Sequence, residues 1–186
     1  ALVGGDPGVG KTSLAQAFAR RLRADGVPVH WGSCVELGGA PPFWPWVQVV
    51  RSIGDHAVDT ARADLEARAE REPFAAFDAL HQVLRTNAGQ TRVIVLDDLH
   101  AADLGSLALL RFLVSAAADL PVLVVGIHRL HELRTDVARD VVLATIARGG
   151  RRIVPPLLSL EEVQELLGPD LGADVAAEVL ARSGGN

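Results

Sequence analysis

Gly5, Gly10, Lys11 and Thr12 stand in the spacing G-x-x-x-x-G-K-[ST], inside the stretch Gly5-Asp6-Pro7-Gly8-Val9-Gly10-Lys11-Thr12-Ser13. Residues of these types at this spacing suit a bound polyphosphate. Glycine reaches positive φ and carries no Cβ, so backbone N–H groups can close on an anion. A helix opening at Lys11 would add first-turn amides and the partial positive charge of its start. Lys11 is then expected to reach the β- and γ-phosphates, and the Thr12 hydroxyl to fill one Mg²⁺ position. Gly5 through Ser13 form the expected nucleotide-binding set. Lys11 is also the sole lysine among eighteen basic side chains. Arginine serves everywhere else, so a lysine here marks a place that needs a compact ammonium on a flexible stem.

The second group that could do chemistry is Asp97-Asp98, at the end of Arg92-Val93-Ile94-Val95-Leu96. A carboxylate at the tip of an apolar strand reaches the phosphate loop when the two strands are neighbours. Asp97 is then expected to hold Mg²⁺. Asp98 is placed to orient or deprotonate an attacking water. Either motif alone has a plain reading, a glycine-rich turn or an acidic strand cap. Together, with the lone lysine in the loop, they favour a nucleoside triphosphate with Mg²⁺, and the lack of a guanine-reading Asn-Lys-x-Asp motif points to ATP.

The elements that must position these residues alternate in type. Strands are expected at Ala1–Val3, Val27–Trp31, Arg92–Asp98, Val122–Ile127 and Arg152–Val154. Unbroken apolar runs such as Val93–Leu96 suit central parallel strands covered on both faces. Helical spacing is expected from Lys11 to Ala24, Val47 to Ile53, His56 to Arg71, Pro73 to Thr86, Leu104 to Ala118 and Asp136 to Ala147. Asp103 is the expected cap of the Leu104 helix. Ser159-Leu160-Glu161-Glu162 reads as a capping box before a helix to Leu167, and a further helix runs from Gly172 to Arg182. The fold class is α/β, a doubly wound, mostly parallel five-stranded sheet. Residues 1–156 form the nucleotide-binding domain, and residues 157–186 read as the start of a helical lid.

Composition narrows the surroundings. The 186 residues are 49% hydrophobic and 22% charged, with a net charge of −5, which gives no electrostatic footprint for nucleic acid or an anionic membrane. No apolar run approaches a bilayer span. Cys34 is the one cysteine, which fits a reducing cytoplasm and an inert buried thiol. His30, His56, His81 and His131 show no metal-ligand spacing. The chain has no methionine and opens inside an expected strand, so it reads as part of a longer protein.

Val93 through Asp103, Val-Ile-Val-Leu-Asp-Asp-Leu-His-Ala-Ala-Asp, resembles the Walker B region of the STAND class of P-loop ATPases. More narrowly, the chain is similar to the AAA-like ATPase module of large LuxR-type bacterial transcriptional regulators and of some cyclase-linked regulators. Gly38–Trp46 resembles that family's aromatic segment, Pro155–Ser159 its entry to the lid, and Ser183–Asn186 the start of its Gly-x-Pro motif. The family's fourth strand ends in Thr-x-Arg; here Ile127-His128-Arg129 stands in its place. Arg129 therefore carries over as a γ-phosphate sensor, and the threonine contact does not. His100 is placed to meet Asp98 or the phosphate shell. The Trp44/Trp46 pair reads as a plug over the sheet, with the nucleotide base or a partner as the other option. Arg148, Arg151 and Arg152 read as a solvated turn, the alternative being an arginine offered to a neighbouring subunit.

The resemblance implies an ATP/ADP-binding switch with slow hydrolysis. It also implies further domains in the same protein, a DNA-binding helix-turn-helix among them, and nucleotide-dependent self-association. Net charge and the shortness of the apolar runs, rather than the resemblance, argue against nucleic-acid or membrane contact from this segment itself. Two other readings stay open on the residues alone: a small-molecule phosphotransferase, and a nucleotide-binding assembly module without hydrolysis.

Overall fold

A computed structural model describes residues 1–35, 40–54, 73–86, 89–116, 120–129, 137–168 and 172–186. The helix expected over His56–Arg71 lies outside these residues, as do Gly38-Gly39 and His131. Among the described residues, five parallel strands form one sheet: β1 (Leu2–Gly5), β2 (Val29–Ser33), β3 (Arg92–Asp97), β4 (Val122–Arg129) and β5 (Arg152–Ile153). Their spatial order is β2-β3-β4-β1-β5. Because every pairing is parallel, all carboxyl ends lie along one edge of the sheet. Ligands of open α/β sheets bind at that edge.

The apolar runs alternate between two buried layers. Ile94 and Leu96 point into the larger one, with α2 (Trp44–Ile53), α3 (Pro73–Thr86), α4 (Leu104–Ala116) and α5 (Val137–Arg148). Val93 and Val95 face the other, with Val3, Ile127 and the Ala15 and Ala19 side chains of α1 (Lys11–Ala24). Each fully buried Leu or Ile side chain contributes about 1.5–3 kcal/mol, so the two-faced burial of β3 anchors the strand that ends in Asp97. The small Ala15 and Ala19 let α1 settle closely on the sheet just after the loop. This is the doubly wound arrangement expected from the sequence.

Several boundaries shift for local reasons. α2 starts at Trp44, earlier than Val47, since Pro45 suits the first helical turn. Phe43 adopts φ 60 ahead of it, and its carbonyl accepts from the amides of Trp46 and Val47. β2 extends to Ser33, where Gln48 of α2 bonds both the Ser33 amide and its carbonyl. β4 continues two residues past Ile127 to Arg129, as partner of the loop-bearing β1.

Beyond β5, α6 (Leu160–Leu167) begins with the expected capping box: Ser159 Oγ accepts from the Glu162 amide, and Glu162 accepts from the Ser159 amide. α7 (Ala173–Ser183) packs on α6 and ends in Gly184 and Gly185. The Gly185 carbonyl accepts from the Leu158 amide, tying the end of α7 back to the entry of α6.

Candidate functional site

Gly5 ends β1, and Asp6 to Gly10 form the turn into α1. Gly8 and Gly10 sit at φ 88 and 84, a conformation that side chains rarely adopt. No side chain caps α1. The first-turn amides of a helix, those of Thr12 and Ser13 among them, have no acceptor within the helix itself. Asp6 accepts from the Val9 amide at 3.4 Å, so Pro7 and Gly8 stand at the crest of the curl.

Lys11 is buried, and its Nζ donates to the Asp6 carbonyl at 2.7 Å. Burial pushes its pKa down, and the Arg129 guanidinium pushes the same way; Asp98, Asp6 and Asp97 pull it back up. The ammonium therefore sits among three acids and a second cation. An incoming anion would relieve the burial cost by supplying charge-assisted hydrogen bonds.

β3 delivers its acid to the same place. Thr12 Oγ1 donates to Asp97 Oδ1 at 3.3 Å, and the Asp98 amide donates to that same oxygen at 3.0 Å. Burial raises the Asp97 pKa first, and the neighbouring Asp98 charge adds to it. A buried carboxylate beside a hydroxyl is a pair of hard oxygen donors, which suits Mg²⁺. The residues present fit both a polyphosphate and its metal.

Asp98 leaves β3 at φ 55, in the left-handed region, and opens a single 3₁₀ turn over Leu99–Ala101. Its carboxylate is part exposed and lies 3.8 Å from His100 Nε2. Arg129 ends β4 directly opposite Gly5 in the parallel register. Loop, acids and Arg129 thus converge from β1, β3 and β4.

Other sequence-marked residues lie elsewhere. Arg148, Arg151 and Arg152 are exposed, and Arg152 pairs with Leu2 at the amino end of β1, away from the loop. Trp46 is fully buried and donates its indole N–H to the Ser106 carbonyl at 3.0 Å. That makes it part of the core. Trp44 is half-buried, with the Arg51 guanidinium over its ring at 5.4 Å. Cys34 is buried and its thiol is pushed up to about 12, by burial first and then by Asp103, Asp98 and Asp97.

Asn186 and Asp103 each make a long-range contact beyond the expected motif or cap. Asn186 donates from Nδ2 to the Pro7 carbonyl at 2.9 Å, over the space beside Gly8. Asp103 does more than cap α4: it takes the Ser106 amide and hydroxyl and also the Phe43 amide, linking the aromatic segment to the turn after Asp98. The Gly-x-Pro likeness pointed toward Asn186, but nothing in the sequence pointed toward its partner.

Residues 1–125 match the AAA ATPase domain family, and the chain belongs to it. It is a nucleotide-binding and hydrolysing module of that kind. Among proteins with curated descriptions, none matches the chain. Solved structures that resemble it include the Aeropyrum pernix ORC1 protein in complex with DNA and the Aeropyrum pernix ORC2 protein in ADPNP-ADP complexes. The first has 23% identity and a TM-score of 0.54, covering 96% of this chain and 43% of that one. The second has 16% identity and a TM-score of 0.55, covering 89% and 43%. These likenesses show the fold, and the chain spans less than half the length of either relative. Among the described residues, no helix is long and apolar enough to cross a membrane.

Proposed function

We propose that this module is a Mg·ATP-dependent switch with slow hydrolysis, of the STAND class, within a multidomain signalling or transcriptional regulator. The observation that carries the reading is the meeting of Thr12 Oγ1 and Asp97 Oδ1 at 3.3 Å, beside a buried Lys11 whose Nζ is held on the Asp6 carbonyl. In this reading Gly5 to Ser13 cradle the phosphates through backbone N–H groups, and Lys11 leaves the Asp6 carbonyl to meet the β- and γ-oxygens. Thr12 and Asp97 hold the metal. Mg·ATP, when bound, supplies the phosphoryl group and the metal's charge. Asp98 orients the attacking water and takes its proton, and Arg129 stabilises charge on the transferred group.

Residues 157–186 act as the lid. The contact of Asn186 with the Pro7 carbonyl, and of Leu158 with Gly185, supports a lid whose seating on the loop changes with the occupant. Switches of this kind work through a segment that nucleotide holds and hydrolysis releases. By the family resemblance, the output belongs to other domains of the protein, such as a helix-turn-helix. DNA contact is theirs, and this segment works in the cytoplasm with nucleotide-dependent self-association.

The test is Asp98→Asn. It should retain Mg·ATP binding while phosphate release falls by about 10²–10⁴-fold, the usual contribution of a general base. Unchanged release would remove Asp98 from the mechanism. Turnover that appears only with an added hydroxyl acceptor would favour a phosphotransferase.

A further inference from the structure

We propose that His100 is a positioning residue that holds the Asp98 carboxylate in its working orientation. The inference rests on the reading of Asp98 as the residue that orients water. The two side chains differ sharply in surroundings. His100 is 3% exposed and Asp98 43%, yet Nε2 and Oδ1 are 3.8 Å apart. A half-exposed carboxylate has several rotamers, and a buried ring beside it selects among them. In the tautomer with its proton on Nε2, His100 presents an N–H 3.8 Å from that oxygen, so that a small rotation of the half-exposed carboxylate completes the hydrogen bond.

Asp98 needs such a partner because its neighbour repels it. Asp97 is fixed by the Thr12 hydroxyl and by the Asp98 amide, and the two negative charges disfavour one another. His100 stands as a donor that draws the second carboxylate into a defined place.

The turn that carries His100 is clamped at both ends. The Ala101 amide donates to the Asp98 carbonyl at 2.8 Å, and the Ala102 amide to the Leu99 carbonyl at 3.2 Å. Leu99 is buried against β4 at Gly126, where a Cβ would fall 2.5 Å from Leu99 Cδ1. Only a glycine there lets the turn lie so close to the strand. On the far side Arg139 Nε donates to the Ala102 carbonyl at 2.8 Å, and Asp103 caps α4. A ring held on so short and fixed a turn has little freedom, and an ångström of misplacement in such a group costs about 10²-fold in rate.

The experiment is a double-mutant cycle of single-turnover hydrolysis in the full-length protein, using His100→Phe, Asp98→Asn and the pair. H100F keeps the buried ring volume and removes the donor. It should lower the rate by about 10–100-fold while KM for ATP and nucleotide affinity stay within about twofold. Added to D98N, it should change the rate no further, because its effect passes through Asp98. A second pair covers a failure of H100F to fold. His100→Gln places an amide N–H near the Nε2 position and should keep most of the rate. His100→Asn stops short of it and should lose the rate as H100F does. Wild-type rates in H100F, equal rates in H100Q and H100N, or a loss that multiplies with that of D98N would overturn the proposal. A D98N protein of full activity would instead sink the reading of Asp98 beneath it.

Discussion

Thr12, in the first turn of α1, donates its hydroxyl to Asp97 at the tip of β3 across 85 positions of sequence, at 3.3 Å. The bond joins the two motifs through one oxygen pair, and it exists because β1 and β3 flank β4 with every carboxyl end at the same edge. Two separately readable stretches of chain thereby become one site.

Asp97 has a raised pKa in the folded protein, mainly from burial. The folded state therefore binds more protons than the unfolded chain between the ordinary value of 3.8 and the raised one. Its stabilising contribution is full below the unfolded value and is lost as pH rises through the folded value. In metal-free, nucleotide-free protein, Asp97→Asn should melt at or above the wild-type temperature at pH 7. The gain should shrink as pH falls toward the unfolded value. With Mg·ATP present the order should reverse, since the variant has lost a metal ligand. Thermal melts at several pH values, with and without Mg·ATP, check both halves. A variant destabilised at pH 7 without ligand would mean that Asp97 serves the fold.

Cys34 should be unreactive while the protein is folded. Its thiol is pushed up to about 12, and the thiolate is the nucleophile. A colorimetric thiol reagent at pH 7.5 should label the native protein at a rate set by unfolding, and denatured protein within the mixing time. Fast labelling of native protein would contradict the burial of this side chain.

Trp46 is a core residue, with no surface exposed and its indole N–H on the Ser106 carbonyl. Trp46→Ala should cost about 3–5 kcal/mol, against much less for Trp44→Ala on the half-buried neighbour. Denaturant titrations of the two variants measure the difference. If W46A kept its stability and lost nucleotide selectivity, the ring would belong to a base pocket.

What the sequence made legible was whatever depends on short-range pattern. Glycine spacing, the apolar run of β3 and the span of α1 are covalent or periodic features, so the fold class and the pairing of loop with acids could be anticipated. The start of α2 could not, because it depends on Phe43 adopting positive φ against Asp103, sixty residues away. The seat of the turn that carries His100 was equally hidden: Leu99 lies against β4 only because Gly126 has no Cβ. The Asn186 contact with Pro7 joins opposite ends of the chain and leaves no local trace. Ile127, where the resembling family has threonine, proves to be core beneath α1, which explains how an apolar residue sits there without a polar partner.

The most direct test of the central claim is a calorimetric titration of Mg·ATP into the wild-type protein and into Lys11→Ala. The account predicts saturable binding to the first, weakened by about 100-fold or more in the second, a loss of about 2.7 kcal/mol. Equal dissociation constants for the two proteins would contradict it.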